Sequence, residues 1–261
     1  MAFANRLAII PGGIGGIGCA VGKLLRDQGA KLALLYAPFE EDKVAEVLEE
    51  TYGSRDSPGV KTYACDISSP ASVQDAFDAI AADDAAFPAF LVNSAGYVNL
   101  SPLEETPPED ALKHYMINLF GPTLTGQAFA RLYIKAKAEN PGGPGGRIVN
   151  ISSQAAHVAL ANHGAYCASK AGVMGLTRSQ ASEWAVHGIT ANTVSPGPVW
   201  TALGKKAWAD DKVREDYQRA VPTGKFAEPG EVADIISFLC QDSSLNINGT
   251  DIRIDGGYTA R

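Results

Sequence analysis

Residues 163–172 read HGAYCASKAG, which places one tyrosine and one lysine among small side chains. Tyr166 and Lys170 are four positions apart, so on a helix both side chains project from the same face. A free tyrosine titrates near ~10, and a unit positive charge at ~4 Å favours its anion by roughly 4 kcal/mol at an effective dielectric constant of ~20. The pair could therefore exchange a proton with a substrate near neutral pH. The alternative is a tyrosine packed on a neighbour beside an exposed lysine.

A glycine-rich segment, IIPGGIGGIG, covers residues 9–18, between an apolar run and a helix candidate. Glycines at this place allow a tight turn, close backbone approach and close packing of the helix on the sheet. The N–H groups at the start of the helix would then face an anion. The segment therefore predicts a site for a dinucleotide pyrophosphate, and a purely structural turn is the alternative.

Apolar runs of strand length alternate with longer helical segments along the whole chain. The strand candidates are 7–10, 31–36, 60–65, 89–94, 147–152, 189–195 and 251–254. The helix candidates lie near 16–28, 40–51, 70–82, 108–136, 164–187 and 228–240. This alternation is typical of a doubly wound α/β fold of the Rossmann type, with a parallel sheet of about seven strands and helices on both faces.

The chain of 261 residues is 46% hydrophobic and can bury a large core. The alternation of strands and helices continues unchanged after the Pro/Gly-rich segment 138–146. The segment is therefore interpreted as a surface loop rather than as a linker between domains. We therefore expect residues 1–261 to form one domain.

The charge pattern and the apolar runs exclude several classes of partner. The net charge is −7 without a basic block, which argues against binding nucleic acid. No apolar run is long enough for a signal segment or a membrane span, so a cytoplasmic protein without a membrane partner is expected. The cysteines at 19, 65, 167 and 240 lack CxxC spacing, which favours reduced thiols and predicts no metal site.

Several motifs occur together in one order. They are the G-x-x-x-G-x-G spacing, NSAG at 93–96, INLFG at 117–121, ISS at 151–153, the Tyr166–Lys170 pair and SPGPVWT at 195–201. From about Leu7 to Gly257 the chain resembles the short-chain dehydrogenase/reductase family in its single-domain form. The resemblance implies an NAD(P)-dependent oxidoreductase that interconverts a secondary alcohol and a ketone, and relatives are usually homotetramers.

The resemblance also implies catalytic roles. Tyr166 would be the general acid/base, and Lys170 would hold the nicotinamide ribose and lower the pKa of the phenol. The family's serine lies thirteen residues before the tyrosine, which selects Ser153 over Ser152 as the hydrogen-bond donor to the substrate oxygen. Asn118 matches the asparagine that holds a water in a proton relay to Lys170.

Cofactor positions carry over from the same resemblance. Asn93, Ala95 and Gly96 would line the adenine ribose side. Asp66 would contact adenine, the backbone of Val199 would meet the carboxamide, and Thr201 would contact nicotinamide or phosphate. A plain helix cap is the alternative role for Asp66. The full predicted set is Gly12, Gly16, Ile17, Gly18, Tyr36, Asp66, Ile67, Asn93, Ala95, Gly96, Tyr166, Lys170, Pro196, Val199 and Thr201.

Two positions depart from the family's pattern. Pro11 stands where Thr or Ser is usual, which removes a hydroxyl and an N–H from the glycine-rich loop. Tyr36, followed by Ala37, stands where NAD users carry an acid for the ribose 2′-hydroxyl. Without that acid a 2′-phosphate is not repelled, but no Arg or Lys follows and residues 40–42 are acidic. NADP(H) is therefore favoured only slightly over NAD(H).

The substrate pocket is expected to draw on the segments after the serine, after NSAG and after SPG. Its predicted lining is Tyr97, Gln154, His163 and Trp200, with Asn99, His157, Trp208 and Tyr217 as further candidates. This mixture of hydrogen-bonding and aromatic side chains suits a polyol, sugar or other polar ketone better than an aliphatic one.

The sequence leaves two other functions open. A 3-oxoacyl-carrier-protein reductase has a similar overall pattern but usually presents arginines to its carrier, whereas the segment RSQASEWAVHG contains Arg178 and the acidic Glu183. A non-catalytic dinucleotide sensor would be expected to lose the tyrosine, lysine or serine, and all three are present.

Overall fold

The computed structural model describes residues 1–83, 86–201, 204–205 and 208–260, and its strands form one parallel sheet. The strands are β1 (Arg6–Pro11), β2 (Lys31–Tyr36), β3 (Val60–Ala64), β4 (Phe87–Asn93), β5 (Gly146–Ile151), β6 (Ile189–Pro196) and β7 (Asp251–Ile254). Their order across the sheet is β3-β2-β1-β4-β5-β6-β7. The predicted seven-stranded Rossmann fold is confirmed.

The helices pack on both faces of this sheet. They are α1 (Gly16–Asp27), α2 (Glu41–Tyr52), α3 (Pro70–Asp83), α4 (Pro108–Tyr115), α5 (Gly121–Glu139), α6 (Gly164–Trp184), α7 (Asp211–Ala220) and α8 (Pro229–Cys240). Helix α7 was not predicted, and the expected helix 108–136 is divided by a π-helical turn, Met116–Phe120. None of these helices is both long enough and apolar enough to cross a bilayer.

The core has two layers because neighbouring strand residues point to opposite faces. Along β1, Ala8 and Ile10 belong to the layer that packs against α1 and α8, whereas Leu7 and Ile9 belong to the layer under α3 and α5. All four side chains are at most 2% exposed. Burial on both faces explains why the strands read as continuous apolar runs rather than as alternating ones.

The strand order reverses between β1 and β4, and a crevice at the carboxyl ends of these strands is the usual ligand site of such sheets. The two loops at this point are bonded directly. The carbonyl oxygen of Pro11 accepts hydrogen bonds from the backbone N–H of Ser94 at 3.0 Å and from its hydroxyl at 2.8 Å. Pro11 itself is the last residue of β1, so it belongs to the strand and the glycine-rich loop follows it.

Candidate active site

Ser153, Tyr166 and Lys170 come together at the carboxyl end of β5, although β5 and α6 are separated in sequence. The Ser153 hydroxyl forms a hydrogen bond with the Tyr166 phenol. The Nζ atom of Lys170 lies 5.8 Å from the centre of the Tyr166 ring and donates a 2.8 Å hydrogen bond to the carbonyl oxygen of Ile151. Lys170 is only 4% exposed, so its charge acts in a poorly solvated space.

The two neighbouring serines have different surroundings. The Ser152 hydroxyl donates to the carbonyl oxygen of Lys170 at 2.9 Å and thereby fastens α6 to the end of β5. The Ser153 hydroxyl accepts a 3.2 Å hydrogen bond from the N–H of Ala155 and faces the Tyr166 phenol. The geometry therefore brings Ser153, and not Ser152, beside the phenol.

Burial shifts the proton affinities of the Tyr166 and Lys170 side chains in opposite directions. It raises the pKa of Tyr166 above its usual range, and the hydrogen bond from Ser153 opposes this effect. It lowers the pKa of Lys170 to about 8. Burial disfavours the charged form of each group. Its effect on the pKa of Tyr166 is therefore larger than the lowering of that pKa which was expected from the Lys170 charge.

Asn118 lies in the π-helical turn between α4 and α5 and is 1% exposed. Its Oδ1 accepts from the N–H of Tyr97 at 2.7 Å, and its Nδ2 donates to the carbonyl oxygen of Tyr97 at 2.8 Å and to the Ser169 hydroxyl at 3.0 Å. Such turns are frequent at functional sites because they widen the helix locally. The carboxamide thus holds the loop after β4.

Gly96 brings the Asn118 carboxamide close to the lysine. A Cβ atom at Gly96 would lie 3.6 Å from Asn118 Oδ1 and 3.8 Å from Lys170 Nζ, so both atoms border the same small space. The predicted water relay from Asn118 to Lys170 would have to pass through this space and use the second lone pair of Oδ1.

The glycine-rich loop has no room for side chains at its three predicted positions. Gly12 has a φ of +74°, and its Cβ would lie 2.6 Å from the backbone N of Ala95. A Cβ at Gly16 would lie 2.6 Å from Thr201 Cγ2, and one at Gly18 would lie 2.2 Å from the Gly12 carbonyl oxygen. The loop, the NSAG segment and the segment after β6 are therefore in direct contact, as the predicted cofactor set requires.

The N-terminus of α1 is open to an anion. Gly15 precedes the helix without a side-chain cap, and the first turn, which includes Ile17, carries no acidic residue. The N–H groups of a first turn need external acceptors, and the helix dipole favours negative charge there. Together with the close-packed glycines, these donors fit the pyrophosphate of a nicotinamide dinucleotide.

At the end of β2, Tyr36 is 7% exposed and donates a 2.5 Å hydrogen bond to Glu41 Oε2. Burial and the neighbouring Glu41 raise the pKa of Tyr36 to about 12, so the phenol is neutral. Two residues after the adjacent strand β3, Asp66 Oδ1 accepts from the N–H and the hydroxyl of Ser68 at 2.9 and 2.7 Å. The side chain of Asp66 thus holds the turn before α3, but it does not cap that helix, because Ser69 accepts the 3.3 Å hydrogen bond from the N–H of Ser72 in the first turn.

Two predicted cofactor side chains point into the protein. Asn93 donates to Asn150 Oδ1 at 2.7 Å and accepts from the Thr125 hydroxyl at 2.8 Å, so its carboxamide is bonded at both ends. Ile67 packs against Gly121. The side chains at these two positions are therefore engaged within the protein, and a cofactor contact here would come from the backbone.

Gln154 follows Ser153 directly and is 3% exposed. Its Nε2 donates a short hydrogen bond to the Tyr217 hydroxyl, whereas its Oε1 is buried without a hydrogen-bond partner in the described part of the chain. The Tyr217 ring packs 5.7 Å from Phe226 and 4.8 Å from Trp208. An aromatic cluster thus holds the carboxamide of the residue that follows Ser153.

The other substrate candidates are distributed unevenly. The His163 ring lies 6.0 Å from the Tyr166 ring. Trp200 packs 5.6 Å from Phe226 and joins the aromatic cluster. By contrast, His157 is hydrogen-bonded to Asp251 of β7 at 3.0 Å.

Two predicted cofactor residues lie in the segment that ends at Trp200. Val199 pairs with Ala227 in an isolated bridge, and Pro196 is the last residue of β6.

Sequence reasoning missed three polar residues that support this site. Ser169 accepts from Asn118 and donates to the carbonyl oxygen of Tyr166 at 2.8 Å. Asp110 and His114 contact the loop after β4. A signal was present for the last two, because Asp110, His114 and Asn118 are spaced four residues apart and so share one helix face.

Comparisons with known proteins find matches over almost the whole chain. A family model described as enoyl-(acyl carrier protein) reductase matches residues 12–259. D-threitol dehydrogenase from Mycolicibacterium smegmatis is 41% identical, covering 98% of this chain and 94% of that protein. NAD-dependent glycerol dehydrogenase from Listeria innocua is 36% identical, covering 99% and 96%. The structure of a short-chain type dehydrogenase/reductase from Mycobacterium ulcerans is 27% identical with a TM-score of 0.90, covering 100% of this chain and 92% of that one.

Proposed function

The chain belongs to the short-chain dehydrogenase/reductase family, and we propose that it interconverts a small polyol or sugar-like alcohol and the corresponding ketone. The observation that carries this proposal is Oε1 of Gln154, the residue after Ser153, which is buried and has no hydrogen-bond partner among the residues that the structure describes. A buried acceptor without a donor costs free energy, and a substrate hydroxyl next to the reacting carbon would supply that donor. The names of the relatives, which act on D-threitol and glycerol, support the same substrate class.

The catalytic roles proposed for this site are the following. In reduction, the Tyr166 hydroxyl donates its proton to the substrate oxygen, and in oxidation its phenolate accepts one. The Ser153 hydroxyl donates a hydrogen bond to the same oxygen and stabilises charge as it develops. The Lys170 ammonium stabilises the phenolate and holds the ribose, while Asn118 holds the relay water. A bound nicotinamide dinucleotide supplies the hydride chemistry.

The cofactor would be held at the crevice between β1 and β4. The first turn of α1 would bind the pyrophosphate, and Thr201, which abuts Gly16, would contact it from the segment after β6. NADP(H) is slightly favoured because position 36 carries a neutral phenol and not an acid. The preference is small because the Glu41 carboxylate, which accepts a hydrogen bond from Tyr36, adds negative charge near position 36.

We further propose a cytoplasmic homotetramer whose subunits each form one catalytic domain over residues 1–261. The surfaces expected to bury against copies of themselves are the apolar face of α6 and the C-terminal segment 247–260. Light scattering at micromolar concentration tests this assembly, and a monomer mass would contradict it.

A substrate screen tests the proposed function. Absorbance of the reduced cofactor is followed with NADPH and NADH against four-carbon and five-carbon hydroxy ketones, aliphatic ketones of equal length and a 3-oxoacyl thioester. We expect the hydroxy ketones to have the highest kcat/KM, and Gln154→Leu to lower that preference by about tenfold, as for one lost hydrogen bond. Equal or better turnover of aliphatic ketones would contradict the polar substrate class. Tight cofactor binding without turnover of any substrate would support a sensor.

A further inference from the structure

We propose that Asp110 and His114 are positioning residues that hold residues 97–99 as one fixed wall of the substrate site. The inference rests on the proposed function only in naming this loop as a substrate wall. The loop follows β4, which ends at Asn93, and passes through Gly96, where an added Cβ would lie 3.8 Å from Lys170 Nζ. It then passes over the buried face of α4, so its position is coupled to the helix beneath it.

Both oxygens of the Asp110 carboxylate bind this loop. Oδ1 accepts a 2.7 Å hydrogen bond from the Tyr97 hydroxyl, and Oδ2 accepts a 3.2 Å hydrogen bond from Asn99 Nδ2. The hydrogen bond from Tyr97 lowers the pKa of Asp110, which keeps the carboxylate charged. The Tyr97 hydroxyl is therefore engaged by the protein, although Tyr97 was predicted to line the substrate pocket.

His114 binds the backbone of the same loop and is 1% exposed. Its Nε2 lies 3.1 Å from the backbone N–H of Asn99, which only an unprotonated nitrogen can accept. Its Nδ1 lies 2.8 Å from the Asp110 carbonyl oxygen and carries the proton for that bond. One neutral tautomer thus satisfies both contacts. The ring also packs 4.8 Å from Tyr97 and 6.3 Å from Tyr166.

Asn118 completes the contact face one helical turn further on. Its carboxamide binds both the N–H and the carbonyl oxygen of Tyr97. Asp110, His114 and Asn118 therefore hold the loop at two positions, through both the backbone and the side chain of Tyr97 and of Asn99. A loop fixed before substrate arrives does not have to be ordered by binding energy, which lowers KM.

A double-mutant cycle on Tyr97→Phe and Asp110→Ala tests this inference. Tyr97→Phe should raise KM for the preferred hydroxy ketone by about two- to tenfold, the range for one lost hydrogen bond, and Asp110→Ala, which loses two, should raise it at least as much. The cofactor Kd and kcat should stay within about twofold, because neither residue faces the reacting atoms. Tyr97→Phe should have no further effect in the Asp110→Ala background, since the hydroxyl acts through Asp110. Glu109→Ala removes an exposed acid from the same first turn and is the matched control.

Two outcomes would overturn the inference. If Tyr97→Phe raised KM equally with and without Asp110, the hydroxyl would act on substrate directly. If Asp110→Ala lowered Tm but left KM unchanged, its role would be structural only. His114→Gln, which keeps an acceptor near the position of Nε2, should retain a lower KM than His114→Leu.

Amide hydrogen exchange separates this inference from the proposed function. In Asp110→Ala, but not in Glu109→Ala, the backbone N–H groups of residues 97 and 99 should exchange faster than in the unchanged protein. This result requires no substrate, so it holds even if the screen finds no polar ketone. Unchanged exchange at both positions would overturn the inference while leaving the catalytic assignment intact.

Discussion

The Nζ atom of Lys170 lies 5.8 Å from the centre of the Tyr166 ring, and both side chains emerge from α6 one turn apart. Burial favours the neutral form of each, raising the pKa of Tyr166 and lowering that of Lys170 to about 8. The tyrosine is thus protonated and ready to donate, whereas the lysine carries a charge whose desolvation is costly. The two residues should therefore respond differently to substitution.

Tyr166→Phe removes one oxygen and preserves the packing of the ring. Turnover should fall by at least ~10²–10⁴, the effect of losing a general acid or base. Thermal stability and cofactor affinity should remain, because the ring contacts with His114 and His163 do not need the hydroxyl. The measurements are steady-state kinetics, calorimetry and a cofactor titration. Near-normal turnover with the cofactor bound would remove the catalytic assignment.

Ser153→Ala and Ser152→Ala form a matched pair at adjacent positions. Ser153→Ala should lower kcat by about 10²–10³, as for a lost donor to a developing oxyanion, with little change in stability. Ser152→Ala removes the hydrogen bond to the Lys170 carbonyl and should lower the free energy of unfolding by about 1 kcal/mol. Its effect on kcat should be smaller. Kinetics and urea unfolding of both variants check the assignment, and the reverse order of kcat effects would select Ser152 instead.

Tyr36→Asp and Glu41→Gln test the cofactor preference from two sides. A carboxylate at position 36 accepts the ribose 2′-hydroxyl and repels a 2′-phosphate, so Tyr36→Asp should favour NAD(H). Glu41→Gln removes negative charge beside the Tyr36 hydroxyl and should favour NADP(H). Both changes should appear mainly in the KM of the cofactor. An unchanged NADP(H)/NAD(H) ratio in Tyr36→Asp would mean that position 36 does not face the ribose.

The sequence predicts the inner strands of the sheet well because they are buried on both faces and therefore read as apolar runs, whereas the edge strands β3 and β7 are half-buried. All seven strand candidates are found, with ends shifted by at most a few residues. Helix α7 escaped prediction since it has no buried residue and its sequence, DKVREDYQRA, shows no apolar stripe wide enough to mark a core helix. The π-helical turn at 116–120 has no signal of its own in hydrophobic periodicity.

In the site, spacing predicts which residues approach one another but not which way each side chain turns. Tyr166, Lys170 and Ser153 meet because β5 ends beside the start of α6. Asn93 turns inward because Asn150 and Thr125 offer partners from β5 and α5 that are distant in sequence. Such long-range partners cannot be chosen from local pattern alone.

Lys170→Met should change how stability depends on pH, in a direction fixed by the shift of its pKa. A lysine in an unfolded chain titrates near ~10.4, whereas burial lowers the pKa of Lys170 to about 8. Between these values the unfolded chain binds a proton that the folded chain does not, so the unfolding free energy rises with pH there. Below about pH 8 both states are protonated, and the full cost of burying the ammonium remains.

From about pH 7 to about pH 10, the unfolding free energy of the unchanged protein should therefore gain about 2 kcal/mol relative to Lys170→Met. Urea unfolding of both proteins measures the difference, with Lys23→Met at an exposed lysine as the matched control. Equal pH slopes for all three proteins would show that Lys170 does not titrate as a buried ammonium, and its role in tuning the phenol would be lost.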